Sequence, residues 1–253
     1  MSERIERIKA CLNGRRGRGD HPALPVTPAQ LAGSGRAAVA AGAEALHVHA
    51  RGGDGAESLR AADVGAAVAA IRSACPGTPV GVSTGVWITG GDPEARHAAV
   101  TQWAALPGGS RPDFASVNLA EPGLDDLLML LETAGIAPEA GVWTLTDVPI
   151  LARVSRAVPW LRIMVELGGL PGADAVATAG EILTALGGLG LDLPVLLHGE
   201  QASCWPLIAQ AGRLGLATRI GLEDTLAGPD GEPVSGNAEL VGLALARWTA
   251  AAG

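Results

Sequence analysis

The sequence predicts an α/β fold, and within that class a (β/α)8 TIM barrel that forms one domain over residues 1–253. Three observations carry this prediction. Eight short apolar segments alternate with eight alanine-rich segments along the chain, without a linker between them. The length of 253 residues suits one barrel of this type. The motif Gly-x-Gly-x-x-Gly does not follow the first strand, which disfavours the alternative, a doubly wound open sheet.

The predicted strands are short runs of apolar and often β-branched residues. Residues 80–82 and 195–197 are continuous apolar runs, as expected where a strand is buried on both faces of a parallel sheet. In chain order, the strands are predicted at residues 7–13, 45–51, 79–85, 114–119, 141–146, 162–168, 194–199 and 217–223.

The predicted helices fill the intervals between the strands and the stretch after the last strand. Several begin with a capping residue followed by proline, such as Thr27-Pro28 and Asp92-Pro93, and several end close to a glycine. In chain order, the helices are predicted at residues 27–41, 61–74, 93–105, 124–134, 148–157, 174–186, 204–214 and 238–251.

Composition and charge exclude several classes of protein. A hydrophobic fraction of 48% indicates a large core, and a net charge of −8 argues against nucleic-acid binding. Cys11, Cys75 and Cys204 are scattered and form no disulfide framework. The charged N-terminal segment does not resemble a signal peptide, and no apolar run is long enough to span a membrane. We therefore expect a soluble cytoplasmic protein that binds neither nucleic acid nor membranes.

Two residue types are nearly missing, and this restricts the possible chemistry. The chain has no tyrosine, so no phenol can serve as acid or base. It has a single lysine, Lys9, and any Schiff-base chemistry would depend on that residue alone. Lys9 stands early in the first predicted strand, away from the carboxyl end where barrel active sites lie. This position argues against a lysine-dependent aldolase.

Polar residues follow the predicted strands at their carboxyl ends, which is typical of a barrel active site. The most informative are His47 and His49, because residues two apart in a strand face the same side and can bind one metal ion. Comparable polar ends follow strands 1, 3, 4, 7 and 8, at Asn13, Ser83-Thr84, Asn118, His198-Gly-Glu200 and Arg219 to Asp224.

Four segments, taken together and in this order, resemble the β-keto acid cleavage enzymes, a family typified by the 3-keto-5-aminohexanoate cleavage enzyme. The resemblance extends over essentially the whole chain. The combination of the strand-2 histidine pair with the strand-8 segment is the most specific part of it. The segments are His47-Val-His-Ala-Arg51, Ser83-Thr-Gly85, Pro112-Asp-Phe-Ala-Ser-Val-Asn118 and Arg219-Ile-Gly-Leu-Glu-Asp224.

The resemblance implies a (β/α)8 barrel that holds a divalent metal ion, usually Zn²⁺. It implies His47, His49 and Glu223 as the metal ligands, and strands 8, 1 and 2 are neighbours in a closed barrel, which agrees with this set. The implied reaction joins a β-keto acid and acetyl-CoA to give acetoacetate and a new acyl-CoA. A homotetramer is also expected from the resemblance.

The same resemblance implies catalytic roles for Asp224 as general base, with Arg219 and a second carboxylate. Glu223 and Asp224 are adjacent, so they can face one site only if the strand ends or twists between them. Family members carry Pro-Glu-x-Glu at the start of strand 5, whereas this chain has Pro138-Glu139-Ala-Gly141. Because the second glutamate is absent, either Glu139 takes its place as the remaining catalytic carboxylate or the catalytic network differs in this chain.

The predicted substrate-binding residues supply neutral hydrogen-bond donors at the strand ends. They are Ser83, Thr84, the backbone N–H of Gly85, Asn13 and Asn118. The loop after strand 1 is basic, with arginines at positions 15, 16 and 18. This loop favours a neutral or anionic β-keto acid over a cationic one, and it could alternatively contact the phosphates of coenzyme A.

Other functions remain open at the level of the sequence. A different metal-assisted lyase or hydrolase could act on a small carboxylate from the same barrel. An amidohydrolase is disfavoured because strand 1 carries no His-x-His and strands 5 and 6 carry no histidine. A metal-binding protein without catalytic activity is a further alternative, although three ligands make an incomplete structural zinc site.

Overall fold

The structure, a computed structural model, describes residues 7–253 and confirms the predicted (β/α)8 barrel. Eight parallel strands follow one another around the barrel in the order β7-β6-β5-β4-β3-β2-β1-β8. They are β1 (Ile8–Cys11), β2 (Ala45–Val48), β3 (Val80–Ser83), β4 (Phe114–Asn118), β5 (Ala137–Val142), β6 (Arg162–Leu167), β7 (Val195–Gly199) and β8 (Thr218–Ile220).

A helix follows every strand and covers the outer face of the sheet. The helices are α1 (Pro28–Ala40), α2 (Ala61–Ala74), α3 (Pro93–Thr101), α4 (Leu124–Ala134), α5 (Asp147–Val154), α6 (Gly172–Gly187), α7 (Cys204–Leu214) and α8 (Asn237–Ala252). Short 3-10 turns at Val86–Thr89, Gln102–Ala105 and Gln201–Ser203 flank α3 and precede α7. Among residues 7–253, no helix is long and apolar enough to cross a membrane.

The barrel closes between β7 and β8 through a few contacts. Leu196 pairs with Ala217 in a parallel bridge, and the N–H of Leu197 donates to the carbonyl of Ala217 at 2.9 Å. The hydroxyl of Thr218 donates to the carbonyl of Leu197 at 2.8 Å. β1 pairs with both β2 and β8, so the elements expected to carry the metal ligands are neighbours.

Inside the barrel, polar side chains lie near the carboxyl ends of the strands, and other side chains fill the interior near the amino ends. Phe114 occupies the lower interior because Gly81 on the neighbouring strand leaves room for its ring: a Cβ at Gly81 would lie 2.0 Å from a ring atom. The main apolar core lies outside the barrel wall, between the strands and helices. This division leaves the carboxyl end of the interior free for functional side chains.

Two strand boundaries differ from the prediction in a way that affects the site. β5 spans Ala137–Val142 and not residues 141–146, so Glu139 lies within the strand. Pro138 is tolerated there because it stands before the first β5–β6 pair, Glu139 with Arg162. β8 ends at Ile220, three residues earlier than predicted. The glycine at position 221 then accepts a hydrogen bond from the N–H of Asp224 at 2.9 Å, which starts a turn.

Candidate active site

A cavity of about 470 Å³ opens at the carboxyl ends of the strands. Residues from all eight strands or the loops that follow them line it, which is the arrangement expected of a barrel active site. The lining residues are Arg15, Arg16, Asp20, His47, His49, Ser83, Trp87, Ser116, Asn118, Trp143, Met164, Glu166, Glu200, Gln201, Arg219 and Glu223.

The three predicted metal ligands lie together on one side of this cavity. Ligand atoms of His47, His49 and Glu223 are all within 4.8 Å of one another. Nε2 of His47 is 3.9 Å from one carboxylate oxygen of Glu223, and Nε2 of His49 is 3.7 Å from the other. Nδ1 of His47 and Oε2 of Glu223 are buried without a hydrogen-bond partner in the described residues. These unsatisfied atoms and the two-imidazole, one-carboxylate donor set fit a divalent cation such as Zn²⁺.

Surrounding residues fix the orientation of His49. Its Nδ1 contacts a carboxylate oxygen of Glu57 at 2.5 Å, and the indole of Trp87 donates to the other oxygen at 3.2 Å. The amide of Asn13 both donates to the carbonyl of His49 and accepts from its N–H, each at 2.9 Å. A carboxylate behind a ligating histidine selects its tautomer and holds the ring in place, so Nε2 of His49 faces the cavity.

Gly14 makes room for the third ligand. It has a φ of +56°, which glycine adopts at little cost, and a Cβ added there would lie 2.3 Å from Cγ of Glu223. The carbonyl of Gly14 accepts a hydrogen bond from the guanidinium of Arg51. The loop after β1 therefore supports Glu223 by close backbone contact.

The protonation states suit ligation by His47 in particular. Burial lowers the pKa of His47 to about 3, against the attraction of Glu223, so its ring stays neutral at physiological pH. Burial also lowers the pKa of His49, but Glu223 and Glu57 more than offset this and raise it to about 9. His49 thus holds a proton between two carboxylates, at a point where positive charge is favoured.

The turn after β8 brings Glu223 and Asp224 to the same site. The guanidinium of Arg219 contacts both, at 2.9 Å from Glu223 and at 2.6 and 3.1 Å from one oxygen of Asp224. Asp224 is fully buried, and its second oxygen has no hydrogen-bond partner in the part of the chain described. Burial raises the pKa of Asp224 to about 8, with Arg219 opposing and Glu223 and Glu200 adding to the shift.

Of the predicted substrate-binding residues, Ser83 and Asn118 line the cavity. The amide of Asn118 donates to Glu121 at 2.8 Å and accepts from the indole of Trp143 at 3.1 Å. Ser83 accepts a hydrogen bond from the N–H of Gly85 at 3.2 Å, which leaves its hydroxyl hydrogen free to donate to a ligand.

Three further predicted residues do not line the cavity but contact residues that do: Asn13, Thr84 and Gly85. Asn13 is fully buried and holds the backbone of His49, as described above. Thr84 donates to the carbonyl of Ser116 at 2.6 Å. A Cβ at Gly85 would lie 2.1 Å from the ring of Trp87, so this glycine allows the indole to pack over the loop.

Glu139 lies below the cavity and is separated from it. Both of its oxygens accept from Nζ of Lys9, at 2.6 and 2.7 Å, and Nε of Arg162 is 2.9 Å from one of them. Despite burial, the charges of Lys9 and Arg162 hold the pKa of Glu139 at about 2. Lys9 is equally buried, and its ammonium group is paired with Glu139 away from the cavity. This position disfavours a Schiff base between Lys9 and a substrate.

Several cavity residues were not identified from the sequence. Glu166 follows the apolar run 163–165 at the carboxyl end of β6, which is the same signal that indicated the histidines on strand 2. Glu57, Trp87 and Trp143 lie in loops, where no periodic pattern marks them. Arg15, which was identified from the sequence as part of the basic loop after β1, places its guanidinium 5.0 Å from the ring of Trp87 at the cavity.

A family model described as beta-keto acid cleavage enzyme matches residues 7–252. Two solved structures of ObcA, one a ternary complex with a C4-CoA adduct and oxalate and one a binary complex with oxaloacetate, are similar with TM-scores of 0.72 and 0.65. They are 18% and 20% identical to this chain, and each match covers 89% of this chain and 63% of ObcA.

The chain therefore spans less than two thirds of the length of the ObcA chains that it matches. A 3-dehydroquinate dehydratase from Geobacillus kaustophilus HTA426 is also similar, with a TM-score of 0.60 and 13% identity. That match covers 97% of this chain and 93% of the dehydratase. At these identities the structural matches establish the barrel fold only.

Proposed function

The chain belongs to the beta-keto acid cleavage enzyme family, and we propose that it is a metal-dependent enzyme that joins a β-keto acid and acetyl-CoA to give acetoacetate and a new acyl-CoA. The observation that carries the proposal is the contact between two groups through Arg219, which lines the cavity and donates to both Glu223 and the buried Asp224. The first is the cluster of His47, His49 and Glu223, and the second is the pair of Arg219 with Asp224. Family membership and this pairing support the assignment together.

His47, His49 and Glu223 would hold the divalent cation, with Zn²⁺ as our proposal. Three protein ligands leave coordination positions open, which distinguishes catalytic from structural zinc sites. When bound, the cation supplies Lewis-acid polarisation of a carbonyl oxygen. The remaining chemistry is assigned to side chains of this chain.

Asp224 is proposed as the general base that takes a proton from the carbon between the keto and carboxylate groups. Burial makes this carboxylate more basic than an exposed aspartate, because its ionised form lacks water. The two contacts from Arg219 fix its orientation and compensate its charge in the ionised state. The second, unpartnered oxygen is the atom available to receive the proton.

Ser83 and Asn118 are proposed to bind the substrate carboxylate through neutral donors. The free hydroxyl hydrogen of Ser83 and the second N–H of the Asn118 amide are both available for this. Asn13, Thr84 and Gly85 hold neighbouring groups and so have positioning roles. Arg15 and Arg16 at the mouth favour a neutral or anionic substrate tail through their charge.

A panel experiment tests the proposal. Zinc-loaded protein is incubated with acetyl-CoA and with neutral, anionic and cationic β-keto acids, and the products are identified by mass spectrometry. We expect acetoacetate together with a new acyl-CoA, most rapidly from a neutral or anionic substrate. Asp224→Asn should abolish product while zinc content stays equal to that of the parent protein. Absence of exchange in protein that holds its metal would favour another metal-assisted lyase or hydrolase.

A further inference from the structure

Two carboxyl groups line the part of the cavity formed by β6 and the loop after β7, beside Arg219. Glu166 ends the inner face of β6, which is four strands away from β2 in the closed barrel, and Glu200 follows β7. The two carboxyls are close enough to interact directly, and two ionised carboxylates so close repel each other, which favours one proton retained between them. Both residues line the cavity, so the shared proton is accessible to a bound ligand.

Local backbone structure holds Glu200 in this position. A Cβ at Gly168 would lie 3.3 Å from a carboxylate oxygen of Glu200, so the glycine provides the space for it. The next residue, Gln201, has a φ of +53° and is the one non-glycine residue with a positive φ between residues 7 and 253. Its N–H donates to the carbonyl of Asp224 at 2.9 Å. Strained conformations of this kind concentrate at functional sites.

Hydrogen bonds within the loop hold the backbone at Glu200. The N–H and hydroxyl of Ser203 donate to the carbonyl of Glu200 at 3.1 and 2.7 Å, which fixes the main chain. On the other partner, one oxygen of Glu166 is 3.2 Å from Nε2 of His198 and the other is 3.6 Å from Arg219. Neighbouring groups therefore hold both the backbone of Glu200 and the carboxyl of Glu166 in place.

The charges around the pair keep one proton on it near neutral pH. Burial and the charge of Glu166 raise the pKa of Glu200 to about 7, and burial also raises the pKa of Glu166. Burial and Arg219 lower the pKa of His198, so that ring is neutral and adds no charge. The other charged groups that act on the pair are Lys9 on β1, Arg219 on β8, and Glu223 and Asp224 in the turn after β8.

We propose that Glu200, sharing its proton with Glu166, is the catalytic acid and base for the sulfur atom of the coenzyme A partner. This inference rests on the proposed function. Asp224, the proposed base for the carbon between the keto and carboxylate groups, is fully buried. Glu200 is partly exposed at the cavity, through which a coenzyme A thioester must enter. A thiol has a pKa of about 8.5, close enough to that of the pair for the proton to pass in both directions.

The two halves of the reaction balance with this assignment. In the first, the carbanion made by Asp224 attacks the thioester carbonyl carbon, a C–C bond forms and the C–S bond breaks. The departing sulfur takes the shared proton, and the carboxyl pair becomes doubly ionised. In the second, the thiol returns that proton and attacks the original ketone carbon. A C–S bond forms, the original C–C bond breaks, and the released carbanion takes the proton held by Asp224.

Two measurements on the same variants test the assignment. Glu200→Gln and Glu166→Gln are compared with Glu132→Gln, an exposed glutamate on α4, with thermal unfolding as a check of folding. One measurement is the rate of acyl exchange from pH 5 to 9. The other is enzyme-catalysed exchange of the C2 hydrogens of the β-keto acid with ²H₂O, followed by NMR without thioester. If Glu200→Gln does not fold, Glu200→Asp replaces it.

We expect Glu200→Gln to lower the rate of acyl exchange about 100-fold or more and to remove an ionisation near neutral pH. Hydrogen exchange at C2 should stay within about threefold of the parent protein, because Asp224 performs it. Equal loss of both activities, or an unchanged rate and pH profile of acyl exchange, would overturn the assignment. Absence of both activities in the parent protein would instead refute the proposed function.

Discussion

Gly14 shows how a single atom can control the proposed metal site. The space for Glu223 exists only because residue 14 has no Cβ, and its positive φ would also strain any other residue. We expect Gly14→Ala to weaken Zn²⁺ binding at least tenfold, since Glu223 must move away from the two histidines. Competition with a chelating dye measures the affinity.

Gly19 provides the matched control for this substitution. It lies in the same loop, and a Cβ there would meet nothing within 4 Å. Gly19→Ala should therefore leave the zinc affinity within about twofold. Equal zinc affinity in the two variants would show that Glu223 does not take part in binding.

Glu139 provides a test of the buried ions below the cavity. Its removal leaves Lys9 and Arg162 without their carboxylate in a dry interior. We expect Glu139→Gln to lower the free energy of unfolding by about 3 to 5 kcal/mol. The pKa of Glu139 is about 2 in the folded state, below its ordinary value, so the paired carboxylate stabilises the fold above about pH 4.5. This contribution is lost as the pH falls toward 2.

Urea unfolding at pH 7 and pH 4 measures this effect for the parent protein and the variant. The difference between the two proteins should be smaller at pH 4 than at pH 7. If the variant instead keeps its stability and loses turnover, Glu139 takes the place of the family's second catalytic carboxylate.

At the level of single residues, the sequence was most informative where a polar side chain interrupts an apolar strand. His47 and His49 were identified in this way, and Glu166 could have been. The contacts of His49 with Asn13 and Glu57 depend on loop conformation and on the register between β1 and β2. Neither follows from the spacing of residues in the sequence.

Among the elements, β8 has the largest effect on the site because it ends early. Adjacent side chains on a strand point in opposite directions, yet both carboxylates after β8 contact Arg219. The turn that begins at Gly221 removes this conflict, and a Cβ at that glycine would lie 1.8 Å from the carbonyl oxygen of Cys11. The early end of β8 therefore allows two adjacent carboxylates, which a continuous strand would point to opposite faces, to reach one site.

Helix starts were also well predicted, and α1 allows a quantitative test. Thr27 accepts from the N–H of Gln30 at 3.3 Å, and the side chain of Gln30 accepts from the N–H of Thr27 at 3.0 Å, forming a capping box. We expect Thr27→Ala to lower the free energy of unfolding by about 1 kcal/mol. Thr184→Ala, at an exposed position inside α6, should not destabilise because alanine favours helix. Equal effects in urea unfolding would contradict the role of the cap.

For the whole molecule, the alternation of strands and helices was sufficient to predict the barrel. The predicted boundaries of β5 failed because the proline at position 138 resembles a strand breaker, although it precedes the ladder that it would interrupt. A single domain over the chain remains a prediction. It implies one cooperative unfolding transition at which near-UV and far-UV circular dichroism change together. Two separated transitions would contradict it.

The assembly of the chain is a further property of the whole molecule. The family resemblance implies a homotetramer, which would have four times the chain mass of 25.4 kDa. Light scattering coupled to gel filtration measures this mass directly.

We propose that the cavity exchanges the acyl partners of a β-keto acid and a thioester. Carbon tracing follows this exchange: zinc-loaded protein is given a β-keto acid and acetyl-CoA with ¹³C in both acetyl carbons. We expect acetoacetate labelled at C3 and C4 and unlabelled at C1 and C2, together with an unlabelled new acyl-CoA. Label that stays in acetyl-CoA, or that leaves as acetate with free coenzyme A, would contradict it.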